Sequence, residues 1–389
     1  MRIAIYVSSL KGGGAERVML NLSQGLINQG HQVDLLLSRY EGDYIKQLPK
    51  SIHIIPLKKT SRLFGFILIL IQSPLRLKFL ALFKLPRFFT RLSSVIHYIN
   101  EYKPDAIISA LHNSNLSAVL AKSCTQSNVH IIVTEHIALS SFIESVPKRK
   151  KKLLPLIKLL YPLANNIVAV SDGVKNDLSD IASIENKKIT TIFNPVITPE
   201  ILEKMRLPAE HSWLNSKKDY KLLAVGRLSK QKDFITLIKA ISILKNEIPI
   251  KLIILGEGKE RKALASLIVE QNLSDTIDLH GFVDNPFSFM SNSDLFVLSS
   301  TLEGLPTVLL EALAANCNIV STDCPFGPSE ILKNGKYGKL VPMNNPTKLA
   351  DAIRSSYFEK SANDEGKQYA LQFNLEKAST EYIELIEQQ

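Results

Sequence analysis

The sequence predicts an α/β protein of two successive units, each a doubly wound parallel sheet with helices on both faces. Three observations lead there. Short, almost wholly apolar runs such as Ile3–Val7, Ile250–Leu255 and Leu295–Leu298 alternate with longer amphipathic stretches, as strands buried on both faces do. The alternation occurs twice, before and after residues 197–218, a stretch of mixed polarity with Pro199, Pro208 and the only tryptophan, Trp213. At 389 residues the chain is also long enough for two or three domains with substantial cores.

Composition removes several classes. An apolar share of 45% with 22% charged residues is ordinary for a globular protein and excludes a disordered chain. Three cysteines (Cys124, Cys317 and Cys324) without a CxxC pair fit a reducing compartment, and argue against a disulfide framework or a structural zinc. Ile3–Val7 is too short for the apolar core of a secretory leader and runs directly into glycines. The net charge of +10 is unevenly placed. Residues 1–200 hold 25 Lys and Arg against 13 Asp and Glu, whereas the remainder hold 22 against 24. The first unit is therefore expected to meet an anionic partner.

In chain order, Arg2–Ser9 reads as a buried first strand, and Lys11-Gly-Gly-Gly-Ala-Glu-Arg17 as a glycine-rich turn into a helix over about Ala15–Gln29. The turn is neither GxGxxG nor a Walker loop, so it indicates neither a dinucleotide nor ATP. His31–Leu37 and Ile52–Pro56 are the next strands. Residues 58–91 then stand apart. They carry Lys58, Lys59, Arg62, Arg76, Lys78, Lys84, Arg87 and Arg91, with no acidic residue and many Leu, Ile and Phe. The apolar run Leu63–Ile71 ends at Gln72-Ser73-Pro74, well short of the ~20 residues that span a bilayer. It is expected to lie in the interface of an anionic membrane; the plainer alternative is a helical insertion with a solvated basic face. Lys148–Lys152 followed by Leu153–Leu160 repeats the pattern. Nucleic acid is disfavoured, because no recognisable nucleic-acid-binding module occurs in the sequence.

Strands resume at Asp105–Ser109, His130–His136, Asn166–Ser171 and Thr190–Val196, which closes the first unit at residues 1–196. Residues 197–218 read as a linker. The second unit, 219–373, opens with a strand from Tyr220, turns through Arg227 and Lys232, and continues with a helix to about Lys245. Strands follow at Ile250–Leu255, at His280–Val283, at Leu295–Leu298 and at Ile319–Thr322. The last helix spans about Asn374–Glu387.

The chemistry is concentrated after Leu298. Strand, polar turn with Glu303, Gly304 and Pro306, helix with Glu311, then strand Ile319–Thr322 is a βαβ unit. Ligands of such sheets sit at the carboxyl ends of the strands. Free amides at the helix start favour phosphate, and carboxylates accept hydrogen bonds from ribose or sugar hydroxyls. The unit reads as a nucleotide-sugar cradle. Arg227 and Lys232, past another strand end, can clamp a diphosphate and neutralise it as it leaves.

Gly226-Arg-Leu-x-x-x-Lys232, Gly256-Glu-Gly258, Glu303-Gly-Leu-Pro-x-x-Leu-Leu-Glu311-Ala and Asp323-Cys-Pro-x-Gly-Pro-x-Glu330 together resemble glycosyltransferase family 4, the retaining enzymes of the GT-B fold. Gly13-Gly14-Ala-Glu-Arg and Thr134-Glu-His136 match as well, so the resemblance covers nearly the whole chain. It implies two Rossmann-like domains facing a central cleft, with acceptor specificity in the first. It implies catalytic or charge-stabilising roles for His136, Arg227, Lys232 and Glu303. Gly304, Leu305, Pro306 and Thr307 would contact sugar and phosphate, Glu311 the ribose and Glu257 the surroundings of the base. Gly13 and Gly14 would close over the phosphates. No DxD triplet occurs, so neither a metal nor another cofactor is expected. The basic first unit resembles enzymes that extend lipid-linked saccharides, of polyprenyl diphosphate or lipopolysaccharide, at the cytoplasmic face of a bacterial inner membrane. That implies a UDP-sugar donor, a lipid-linked acceptor and an anionic membrane as partners. Two alternatives stand beside it: a GT-B-like UDP-N-acetylglucosamine epimerase, which needs no lipid surface, and a peripheral membrane scaffold without activity.

Overall fold

A computed structural model describes the chain except residues 12, 50, 75–87, 146–152, 360–361 and 389. Two compact units result. One comprises Met1–Pro195 with Leu375–Gln389, the other Val196–Asn374.

The first unit is built on seven strands, β1 (Arg2–Val7), β2 (Gln32–Leu37), β3 (His53–Pro56), β4 (Ala106–Ala110), β5 (His130–Glu135), β6 (Asn166–Ala169) and β7 (Ile189–Thr191). Their order is β3-β2-β1-β4-β5-β6-β7, and every pair is parallel. Ile5 lies opposite Leu35 on one side and Ile108 on the other. Every residue of β4 and β5 is buried, as expected for central strands of a sheet covered on both faces, whereas edge strand β3 keeps both ends exposed. β7 is shorter than the expected Thr190–Val196, because the chain leaves the sheet ahead of Asn194-Pro195, and Pro195 has no N–H for a ladder.

Asp34 anchors the strands at one end of this sheet. Its buried carboxylate accepts from Arg2 Nε at 2.7 Å, Tyr98 OH at 2.6 Å and His53 Nδ1 at 3.1 Å. Burial pushes its pKa up, but the hydrogen bonds from Arg2, Tyr98 and His53 outweigh burial and hold it below the usual range.

The last helix, Leu375–Glu387, is part of the first unit and packs on helix Gly14–Asn28. Gly25 permits the approach: a Cβ there would lie 2.8 Å from the Leu375 carbonyl oxygen. Treating residues 374–389 as a segment of its own is therefore corrected. So is the linker. Residues 197–218 carry helix Pro199–Met205, with Ile201 and Met205 buried, and belong to the second unit. There Asn285 Nδ2 donates to the Lys204 carbonyl at 3.0 Å.

The second unit has β8 (Tyr220–Val225), β9 (Ile250–Leu255), β10 (Ile277–Gly281), β11 (Leu295–Leu298), β12 (Asn318–Thr322) and β13 (Lys339–Val341). The order is β10-β9-β8-β11-β12-β13, again wholly parallel. Helix Phe234–Leu244 buries Leu237, Ile238, Ile241 and Leu244 against this sheet, in one core with Leu222, Leu252, Ile254 and Val297.

The two basic-apolar segments part ways. Helix Leu153–Leu160 buries Leu156, Ile157 and Leu160 completely or nearly so, which corrects its reading as an interfacial stretch; the cations Lys148–Lys152 before it lie outside the described residues. Helix Arg62–Gln72 buries only Gly65 and Ile69. Arg76, Lys78, Lys84 and Arg87 also lie outside the described residues. Among the described residues no helix is long and apolar enough to cross a membrane.

Candidate active site

In the second sheet the chain leaves β8 towards β9 and β10, then returns to β11 on the other side of β8. The loops that follow β8 and β11 therefore stand side by side at the switch point, at the carboxyl ends of two neighbouring strands, where ligands of such sheets sit. Lys232 comes from the first loop and Glu303 from the second. Lys232 Nζ lies 2.6 Å from Glu303 Oε1, with side-chain exposures of 18% and 10%.

Backbone contacts explain how two residues so far apart in sequence meet. Thr301 N donates to the Gln231 carbonyl at 2.9 Å, Gln231 Nε2 to the Leu302 carbonyl at 2.6 Å and Ser299 Oγ to the Lys232 carbonyl at 2.8 Å. These bonds clip one loop to the other. Asp233 then adopts a left-handed φ of 43° and caps helix Phe234–Leu244 by accepting from Thr236 N at 3.3 Å. Two glycines are closely approached, and at the second of them only glycine fits. At Gly226 a Cβ would press on the Lys232 stem at 3.2 Å. At Gly256, with φ 132°, it would fall 2.1 Å from the Gly226 carbonyl oxygen.

Helix Thr307–Ala314 begins one residue after Pro306, so the proline stands at the cap rather than inside the first turn. Gly327 holds that cap, since a Cβ there would strike Pro306 Cδ at 2.3 Å. Leu305 is buried, and Gly304 and Thr307 are half-buried at the mouth of the helix. Glu311 lies further along it, buried at 8% exposure. Arg227 is exposed two residues past β8. Glu257, after β9, is held by Arg261 Nη1 at 2.8 Å, while Arg261 Nη2 donates to the Leu279 carbonyl at 2.8 Å. Gly281, at φ 98°, leaves room for the Glu257 carboxylate. Cys324 sits near the ion pair; burial and then the Glu303 charge push its thiol up to about 12, so it stays protonated and inert.

The carboxyl ends of β8 and β11 thus offer a restrained ammonium, a carboxylate and a helix start. A diphosphate arriving at Lys232 competes with Glu303 for the same ammonium, which frees the carboxylate to accept from hydroxyls.

The first unit has its own switch point, between β1 and β4. The turn after β1 is braced by Glu16, which accepts from Gly13 N at 3.1 Å and Ser9 Oγ at 3.1 Å. The Gly13 amide is thereby engaged within the protein. A Cβ at Gly14 would meet nothing within 4 Å, so packing does not require a glycine there.

His136 follows β5 and is buried. Thr134 Oγ1 gives its single proton to the Ser109 carbonyl at 2.9 Å, so at 3.0 Å it accepts from His136 Nε2. That fixes the tautomer with the proton on Nε2. Among the described residues Nδ1 is left as a buried lone pair without a partner. Burial lowers the ring's pKa to about 4, against the pull of Glu135, so His136 is neutral near pH 7.

Sequence reasoning missed the cluster beside it. Glu135, buried at the end of β5, accepts from His112 Nδ1 at 3.1 Å, from Asn115 Nδ2 at 3.0 Å and from Tyr161 OH. Burial raises Glu135, but the His112 charge and the hydrogen bonds outweigh it and keep its pKa low; His112 in turn is held above its ordinary value despite its burial. Leu111, immediately before His112, has φ 72° and ψ 141°, an uncommon backbone for leucine. The available signal was a histidine three residues after the strand-like run Asp105–Ser109.

One cluster among the described residues has ligand types suited to a metal: His211, Asp278 and His280. His211 Nε2 and His280 Nδ1 each lie 3.0 Å from Asp278 Oδ2. Trp213 N donates to His211 Nδ1 at 3.2 Å, which puts the His211 proton on Nε2. Metal ligation at Nε2 would turn an Nδ1 proton against that amide, so the cluster is satisfied as a hydrogen-bonded latch between residues 197–218 and β10. A cavity of about 450 Å³ at the starts of β12 and β13 includes Lys336 and Lys339, which are paired with Glu365 at 2.9 Å and Glu359 at 2.6 Å.

Comparison with known proteins agrees with this architecture. The family described as Glycosyltransferase Family 4 matches residues 12–199, and that described as Glycosyl transferases group 1 matches residues 208–372. The chain is 30% identical, over 91% of its length and 89% of the relative's, to N-acetylgalactosamine-N,N'-diacetylbacillosaminyl-diphospho-undecaprenol 4-alpha-N-acetylgalactosaminyltransferase of Campylobacter jejuni. It is 25% identical, over 99% of its length and 98% of the relative's, to a second C. jejuni enzyme, GalNAc-alpha-(1->4)-GalNAc-alpha-(1->3)-diNAcBac-PP-undecaprenol alpha-1,4-N-acetyl-D-galactosaminyltransferase. Among solved structures, Anabaena HepE in complex with UDP superposes with a TM-score of 0.77 at 17% identity, covering 100% of both chains. A glycosyltransferase from Rickettsia africae gives 0.77 at 20% identity, over 99% of this chain and 97% of that one. Two Rossmann-like units with wholly parallel sheets define the GT-B class. The chain belongs to glycosyltransferase family 4.

Proposed function

We propose that the protein transfers a hexose or N-acetylhexosamine from a UDP-sugar to a lipid-linked saccharide, with retention of the anomeric configuration and without a metal. The observation that carries this reading is the Lys232–Glu303 pair, 2.6 Å apart at the switch point of the second sheet. The C. jejuni relatives named above act on undecaprenyl-diphosphate saccharides, and HepE is known with UDP bound, which supports both the acceptor class and the nucleotide.

In this reading the bond between sugar C1 and the UDP β-phosphate oxygen breaks, and its electron pair leaves with UDP. Lys232 and Arg227 neutralise the charge that develops, assisted by the amides from Gly304 to Thr307 at the helix start. The acceptor hydroxyl attacks C1 from the face that UDP leaves, and its proton passes to the departing phosphate. Glu303 accepts from donor-sugar hydroxyls and is not a nucleophile. Glu311 accepts from the ribose hydroxyls, and Glu257 with Arg261 borders the base. His136, neutral and with its proton on Nε2, keeps Nδ1 as an acceptor and cannot donate from that nitrogen. Gly14 gives a ligand close access to the backbone, with Gly13 bracing the turn through Glu16. The buried free thiols Cys124, Cys317 and Cys324 fit a reducing compartment, and so a peripheral place at the cytoplasmic face of the membrane.

The test is UDP release from a panel of UDP-sugars with polyprenyl-diphosphate-linked saccharides, run with and without EDTA. The product's anomeric configuration is read by NMR. Acceptor-dependent release that resists EDTA and gives an axial product from an axial donor is expected. Epimerised donor without any acceptor, or abolition by EDTA, overturns the reading.

A further inference from the structure

We propose that helix Arg62–Gln72 docks the first unit on an anionic lipid bilayer through a single apolar stripe. Successive helical residues advance by about 100°. On that wheel Leu63, Phe64, Ile67, Leu70 and Ile71 fall within an arc of about 120°. All five are exposed, from 37% at Leu70 to 72% at Ile71. Gly65 and Ile69 are buried on the opposite side. Of the 14 large apolar side chains exposed among the described residues, these five share one face, so they form a patch and not the scatter normal for a surface.

The buried side is firmly seated. A Cβ on Gly65 would stand 2.4 Å from the Phe89 carbonyl oxygen, so the helix lies directly on helix Phe89–Tyr102. The approach to it is pinned by Thr60 N to the Thr90 carbonyl at 2.9 Å and by Lys58 N to Ser94 Oγ at 3.1 Å. The stripe is therefore held facing away from the protein's own core.

Charge decides the occupant. Exposed Lys58, Lys59 and Arg62 precede and begin the helix, and no Asp or Glu occurs anywhere from residue 58 to residue 91. A second copy meeting the same face would set cation against cation, whereas a phosphate-bearing lipid surface takes both the apolar stripe and the charges. Helix Leu153–Leu160, equally apolar in sequence, buries its Leu156, Ile157 and Leu160 and does not take part. The inference rests on the proposed function only for its purpose, that of bringing the transfer to a lipid-linked acceptor.

The experiment uses the full chain with vesicles of phosphatidylcholine alone or with phosphatidylglycerol, and no sugar donor or acceptor. Its failure therefore leaves the transferase reading standing, and the reverse holds too. Wild type is expected to bind anionic vesicles at least tenfold more tightly than neutral ones. Phe64→Ser with Ile67→Ser and Ile71→Ser should weaken that binding at least tenfold without a change in circular dichroism, since all three side chains are exposed. Lys58→Glu with Lys59→Glu should remove the preference for anionic lipid. Phe64→Trp should be quenched by lipids brominated along the acyl chain, while native Trp213 is not. Undiminished binding by the triple variant, equal binding to both vesicle types, or an unquenched Phe64→Trp overturns the proposal. So does a wild-type dimer in solution that the triple variant dissociates.

Discussion

Replacing Lys232 by Met separates what the ammonium does for the fold from what it does for the reaction. It stands 2.6 Å from Glu303 Oε1, and the two side chains are 18% and 10% exposed. Breaking a fully buried pair costs ~3–5 kcal/mol; the residual exposure here scales that to roughly 1–3 kcal/mol of stability. The catalytic loss is a separate quantity. Removing one positioned charge donor from a developing anion costs about 2.7–4 kcal/mol, or ~10²–10³ in kcat. Adding Glu303→Gln to Lys232→Met removes the stranded carboxylate, so the melting temperature should recover while kcat stays low. Lys232→Arg keeps the charge and should lie between wild type and Lys232→Met in kcat. The assay is UDP release at saturating acceptor, with kcat and KM resolved separately beside thermal melts of each variant. A Lys232→Met enzyme within about fivefold of wild-type kcat, less than ~1 kcal/mol, would mean that the ammonium only braces the two loops.

Glu311→Ala should weaken UDP binding by calorimetry about tenfold, or ~1.4 kcal/mol; unchanged affinity would take the ribose contact away from it. Asp34→Asn should destabilise the first unit by ~2–4 kcal/mol near pH 7, because Arg2 loses its buried partner. The folded-state pKa of Asp34 lies below its ordinary value of 3.8, so this contribution is present above that value and is lost as pH falls through the folded pKa. Wild type and variant should therefore converge in acid denaturation, and a constant gap down to the lowest pH would refute the assignment. His112 behaves in the opposite sense. Its folded pKa is raised above 6.5, so its pairing with Glu135 stabilises fully below that value and fades as pH rises through the folded pKa. Glu135→Gln leaves burial unopposed, and the His112 titration followed by NMR should move below 6.5.

Much of the second unit's site was legible because its residues lie close to strand ends in sequence. Arg227, Lys232, Glu303 and Glu311 follow β8 and β11, and strand periodicity with loop position is enough to nominate them. Their pairing was not legible. Lys232 reaches Glu303 only because β8 and β11 are neighbours and the Gln231–Leu302 and Ser299–Lys232 bonds clip the loops, and strand order leaves no mark in local sequence. The same limit hid the His112–Glu135–Tyr161 cluster, assembled from three segments by the neighbouring strands β4 and β5 and the chain before β6. The protonation of His136 was hidden too, because it depends on a threonine proton committed to Ser109 on the adjacent strand.

The two basic-apolar stretches show where composition stops being informative. Leu63–Ile71 and Leu153–Leu160 are alike in apolar content and in the cations before them, yet the structure treats them oppositely. Leu153–Leu160 presents Leu156, Ile157 and Leu160 on one narrow face, which the first unit can cover. Leu63–Ile71 is apolar all round, so a single packing surface cannot cover it, and contact through Gly65 and Ile69 leaves five large side chains in water. How much of each helix the first unit covers, which composition does not carry, marks the one that still needs a second apolar environment. A protein that only had to keep its fold would gain solubility by making Leu63, Phe64, Ile67, Leu70 and Ile71 polar, since none of them supports the core. Their presence beside exposed Lys58, Lys59 and Arg62 is accounted for by a use outside the fold, and a lipid surface carrying the acceptor is the use that fits the proposed chemistry.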